Sequence, residues 1–63
     1  MNNIIIIVPV LNEKKNIEIL FNKLNTINIG FDLLFIDDNS SDGSREIIKN
    51  LVKNNQNINY IFR

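Results

Sequence analysis

The chain has 63 residues, with seven basic and seven acidic side chains that cancel to a formal net charge of zero. That is one domain at most, of a size that buries only about 60% of its unfolded surface. The balance gives no electrostatic case for nucleic acid or an anionic membrane as the main partner. Cysteine and histidine are both missing, so disulfides, thiolate chemistry and the common zinc sites are excluded.

In chain order, Ile4 to Val8 is β-branched and apolar without alternation, the pattern of a strand covered on both faces of a parallel sheet. Pro9 cannot donate to a ladder and is expected to end it. The apolar run Ile4 to Leu11 is far shorter than the roughly 20 residues of a membrane helix. It also lacks the basic residue before it and the small-residue cleavage site after it that a secretory signal needs, so a cytoplasmic location is the default. Asn12 is the expected N-cap of a first helix over residues 13 to 27, with Glu13 set against its positive end. Ile17, Leu20, Phe21, Leu24 and Ile27 form its apolar stripe.

Asn28 to Gly30 closes that helix, and Phe31 to Ile36 is a second strand. Asp42-Gly43-Ser44 opens a second helix, with Asp42 as the expected cap and Ile47, Ile48, Leu51 and Val52 as its apolar face. After a turn at Asn54 to Asn57, Ile58 to Phe62 is a third strand. The order β-α-β-α-β implies a parallel sheet of adjacent strands, half of a doubly wound α/β domain. The third strand runs out at Arg63, so the expectation is a domain that stops short of the whole fold.

Chemistry should gather at Phe35-Ile36-Asp37-Asp38-Asn39-Ser40-Ser41-Asp42-Gly43-Ser44, an apolar strand that runs into three carboxylates. Open α/β sheets bind ligands in the crevice beyond the carboxyl ends of their strands. Four readings compete. The acids are turn formers and a cap, although a turn does not need two adjacent carboxylates that repel each other. They form a calcium loop, which Lys49 spoils at the twelfth position, where a bidentate glutamate belongs. They form a phosphoacceptor site, whose acid pair belongs on the first strand. Or they serve a nucleotide, a strand-tip carboxylate accepting from a base N–H or ribose hydroxyl. No G-x-G-x-x-G or G-x-x-x-x-G-K-[ST] loop is present to cradle phosphates. Adjacent parallel strands would set Pro9, Leu11 and Glu13 opposite Asp37 and Asp38 across one crevice.

Ile7-Val8-Pro9-Val10-Leu11-Asn12-Glu13, followed about two dozen residues on by Phe35 to Ser44, resembles the start of the family 2 glycosyltransferases with the GT-A fold. More narrowly it is similar to their polyprenol-phosphate sugar transferase branch, the dolichol-phosphate mannose synthase type, with openings P-x-Y-N-E and D-D-G-S-x-D-G-T. The resemblance covers the whole chain. It implies residues 1–63 as the nucleotide-binding N-terminal part of an incomplete, three-layer, Rossmann-like domain. The implied donor is a nucleotide-diphosphate sugar, GDP-mannose or a UDP-sugar, and the acceptor a polyprenol phosphate or a saccharide. Pro9, Leu11, Glu13, Ile36 and Asp38 would line the nucleoside pocket. Asp38 would hold the base or ribose, and Asp37 would support the loop or contact the nucleoside secondarily.

Leu11 stands where the family has an aromatic, Asn39 where it often has glycine, and Ser44 where it has threonine. The D-x-D motif for Mg²⁺ or Mn²⁺, the acceptor side and the catalytic base lie beyond residue 63 in such enzymes. The resemblance therefore implies no catalytic and no metal-ligating residue here, and no turnover by the chain alone. A complete enzyme would work in the cytoplasm, at the membrane face. The alternative is a small non-catalytic α/β module that binds a nucleotide or protein, or self-associates, through an open sheet edge.

Overall fold

The computed structural model describes residues 4–27 and 30–63. Strands β1 (Ile5–Val10), β2 (Asp32–Asp37) and β3 (Ile58–Phe62) alternate with helices α1 (Lys14–Asn25) and α2 (Ser44–Asn54). Both strand pairings are parallel and the sheet order is β1-β2-β3. This is a partial Rossmann-like unit of the GT-A kind. The expected third strand matches to the residue, and the second lies one residue further along than expected. The expected closure of α1 at residues 28 to 30 lies outside the described residues except for Gly30; the helix itself ends at Asn25.

Two crossovers of one hand running in one direction put both helices on the same side of the sheet. The burial pattern shows the result. Leu33, Phe35, Ile48 and Ile58 are buried with Val10, Ile17 and Phe31, forming one core between sheet and helices. Phe35 is fully buried on the central strand. Removing its ring would cost about 3–5 kcal/mol, comparable with the whole stability of a domain this small at roughly 0.05–0.15 kcal/mol per residue.

The other face of the sheet is open. Ile5 and Ile7 on β1 are 60% and 59% exposed, and Ile61 on β3 is 49% exposed. The expectation that β1 is covered on both faces is therefore corrected: its residues alternate between a helix-covered and an open side. The described residues supply the sheet and one helix layer of the three-layer architecture. Pro9 does not end β1 either, since it pairs with Ile36 inside the ladder. β1 is an edge strand of this sheet, where the missing N–H breaks no ladder bond.

The caps also differ from expectation. Asn12 is not the N-cap of α1; that position is Glu13, and its side chain makes no capping bond. Nor does Asp42 occupy the N-cap position of α2, which is held by Gly43 at φ 95°. In both cases the loops meeting above the sheet dictate the change.

Candidate functional site

The β1–α1 and β2–α2 loops meet at the carboxyl edge of the sheet and are bonded to each other. Asn12 has φ 53° and Asn39 φ 67°, a left-handed backbone that asparagine enters more readily than most residues. So placed, Asn12 donates its N–H to Ser40 Oγ (2.9 Å), and its Oδ1 accepts the Ser41 N–H (2.9 Å). The Glu13 N–H donates to Ser44 Oγ at 3.1 Å. The Lys14 N–H donates to Asp42 Oδ2 at 3.0 Å, while Asp42 Oδ1 accepts the Ser44 N–H at 3.0 Å and the Ser44 hydroxyl. One carboxylate thus serves the first residue of each helix, satisfying donors that a helix start leaves orphaned.

A crevice of about 400 Å³ runs along this edge, lined by Pro9, Val10, Leu11, Glu13, Ile36, Asp38 and Arg63. Pro9, Leu11, Glu13, Ile36 and Asp38, the residues singled out for a nucleoside pocket, are gathered in it. Leu11, Glu13 and Asp38 are exposed and Ile36 is half-buried, so the crevice offers an apolar shelf with two accessible carboxylates. Glu13 is partly engaged, its Oε2 accepting from Asn16 Nδ2 at 2.7 Å. A larger hollow of about 540 Å³ lies at the opposite end of the strands, among Asp32, Gln56, Asn57 and Asn59, remote from both loops.

Asp37 lies elsewhere. Along β2 the side chains alternate, Phe35 toward the helices and Ile36 away, so Asp37 returns to the helix side and Asp38 to the crevice. Asp37 is completely buried. Its Oδ1 accepts the Ser40 N–H (2.7 Å) and Arg45 Nε (2.9 Å), and its Oδ2 has no protein partner. Burial pushes the carboxyl up, but the Ser40 N–H and hydroxyl and the Arg45 guanidinium outweigh it and hold Asp37 below the usual carboxylate range. Asp37 therefore holds the loop and does not face Pro9, Leu11 and Glu13 across the crevice.

Nothing in the spacing of the sequence marks Arg45. Besides the ion pair with Asp37, its Nη2 donates to the Arg63 carbonyl at 2.6 Å, and its guanidinium lies 4.6 Å from the centre of the Phe62 ring. The available signal was its place in the first turn of α2, which leans over the ends of β2 and β3.

The carboxylates do not fit a divalent cation. Asp37 is paired with Arg45, Asp42 has both oxygens engaged at the helix starts, and of the two carboxylates lining the crevice Glu13 is partly engaged with Asn16, which leaves Asp38. Among the described residues no three carboxylates converge on a point. No described helix is long and apolar enough to cross a membrane.

A two-motif edge on a parallel β-α-β-α-β sheet defines a Rossmann-like α/β unit with its crevice at the carboxyl ends of the strands. The sequence model described as glycosyl transferase family 2 matches residues 5–63, and the chain belongs to that family. No curated protein and no solved structure gives a match.

Proposed function

We propose that the crevice holds the nucleoside of a nucleotide-diphosphate sugar, GDP-mannose or a UDP-sugar, and that residues 1–63 form the donor-binding part of a sugar transferase. The observation that carries this reading is the accessible Asp38 carboxylate in one crevice with Pro9, Leu11, Glu13 and Ile36. Asp38 accepts from a base N–H or a ribose hydroxyl, while Pro9, Leu11 and Ile36 give the base and sugar an apolar floor. Leu11, in place of an aromatic, offers contact without ring stacking.

The two motifs favour the polyprenol-phosphate branch, in which the sugar passes from the donor to a lipid phosphate; a saccharide is the other acceptor class. The transfer would take place at the cytoplasmic membrane face. A divalent ion, commonly used in this family, would be held by ligands other than those described. The 63-residue chain alone binds but does not turn over its donor, and consumption of GDP-mannose or a UDP-sugar by it would refute this.

The test is an NMR titration of the ¹⁵N-labelled chain with GDP and UDP. Amide shifts confined to residues 10–13 and 36–40, lost in Asp38→Ala, are expected. A second reading, a non-catalytic module working through its sheet, is favoured by the exposed Ile5, Ile7 and Ile61. In that case Asp38→Ala leaves binding unchanged.

A further inference from the structure

Asp37 is the last residue of β2, buried on the helix side, and Asp38 lies in the bend just past it and lines the crevice. The Asp38 N–H is bonded to the Val10 carbonyl and the Arg63 N–H to the Asp37 carbonyl, both at 2.9 Å, so the direction of Asp38 is set by this backbone together with whatever holds the Asp37 side chain inward. The Ser40 N–H closes the turn onto Asp37 Oδ1, with Asn39 in its left-handed conformation between them. One backbone bond is a weak hold on a wholly buried carboxylate whose second oxygen has no protein partner. The remaining hold on the carboxylate comes from the Ser40 hydroxyl and from one planar group, the Arg45 guanidinium. Arg45 bonds Asp37 through Nε and the Arg63 carbonyl through Nη2, and packs its face on Phe62. It ties the first turn of α2 to the ends of both β2 and β3. Arg63 and Asp38 line the same crevice.

We propose that Arg45 is the positioning residue of the nucleotide crevice, acting through Asp37 to hold the Asp38 carboxylate toward the ligand. The ligand named here rests on the reading under Proposed function. Arg45 touches no ligand itself. A lysine would keep the charge but lose the fork that reaches Asp37 and the Arg63 carbonyl together. The other charges facing this pair are few. Lys49 of α2 lies 5.8 Å from the Phe62 ring centre on the same flank, Glu46 follows Arg45 in α2, and Arg63 ends the β3 side. On the β1 side, Val10 pairs with Asp37 and brings no charge.

The experiment uses the full chain as wild type, R45K and R45Q. It reads the Asp37 carboxyl by ¹³C NMR against pH, the amide shifts of Asp38 to Ser40, and the affinity for GDP and UDP. With R45Q the Asp37 carboxyl should titrate at higher pH than in wild type. The 38–40 amides should move, and the nucleotide dissociation constant should rise roughly tenfold. As pH falls, the variant's affinity should begin to drop at higher pH than wild type's, because its Asp37 protonates earlier. R45K should fall between the two.

Unchanged 38–40 amides and unchanged affinity in a folded R45Q would overturn the proposal. Where R45Q does not fold, D37N/R45Q removes the stranded charge. Wild-type affinity in that double variant makes Arg45 merely structural and overturns the proposal, and weakened affinity supports it. Where wild type binds neither nucleotide, the nucleotide reading fails, and the amide shifts of residues 38–40 decide the positioning role alone.

Discussion

Asp42 accepts the backbone N–H of Lys14 at 3.0 Å, so the start of α1 is capped by a side chain from the loop that opens α2. The same carboxylate accepts the Ser44 N–H. Asp42→Ala should lower the melting temperature more than Asp42→Asn, because the amide oxygen can still accept at one of the two helix starts. The Ser44 hydroxyl, with the Lys14 and Ser44 N–H groups, holds Asp42 below the usual carboxylate range against the opposing effect of burial. Its contribution is then complete above the unfolded value, about pH 4, and is lost as pH falls through the lower folded value. Thermal melts across the acid range should show that limb in wild type and a shallower one in Asp42→Asn.

Gly43 sits at φ 95°, where an L side chain is strained whatever the space around it. The nearest atoms to an added Cβ belong to the Lys14 side chain, 3.5 Å away, an ordinary contact. Gly43→Ala should therefore cost about 1–2 kcal/mol through the backbone alone. Urea midpoints will measure it, and Lys14→Ala should not relieve it. A cost that disappears in the double variant would place the strain in the contact with Lys14 instead.

Asp38 is exposed and does not belong to the loop's bonding through its side chain. Asp38→Ala should leave stability within about 0.5 kcal/mol of wild type. It should cost nucleotide binding about 1.5–3 kcal/mol, the worth of a hydrogen bond to a charged group. Calorimetric titration beside a thermal melt separates the two effects.

The open sheet face carries Ile5 and Ile7 on an edge strand, an arrangement that favours association between chains. Ile5→Thr with Ile7→Thr keeps β-branched side chains and removes apolar area. Sedimentation velocity should show less concentration dependence for the double variant, at an unchanged melting temperature. An equal dependence would mean that this face does not drive association.

Much of the fold was legible because local patterns and topology agree. Ile47, Ile48, Leu51 and Val52 repeat at helical spacing and do turn to the core. The crevice was legible because parallel neighbours must bring Pro9 and Asp38 to one edge. The faces of β1 were not. A run of isoleucine and valine reads as doubly covered, yet Ile5 and Ile7 are open because both helices cross on the other side. The caps were hidden for a different reason. Asn12 has the chemistry of an N-cap, but its side chain is taken by the Ser41 N–H of the facing loop. Asp37 could have been placed by carrying the alternation of Phe35 and Ile36 one step further. Arg45 could not be placed from local spacing, since its partners are Asp37 on β2, Phe62 on β3 and the Arg63 carbonyl just past β3.

The borrowed cap of α1 also bears on how the chain folds in time. α1 has no acidic residue in its first turn and no capping side chain of its own, so its start depends on Asp42 and Ser44, 28 and 31 positions away from their partners. Helix nucleation is costly even in good sequences, and here the compensating bonds arrive only after a long loop has closed. A synthetic peptide of residues 13–27 should remain coil in water. In the whole chain α1 should acquire hydrogen-exchange protection in the same kinetic step as the β1–β2 pairing, so that the helix is a product of sheet assembly and not its seed.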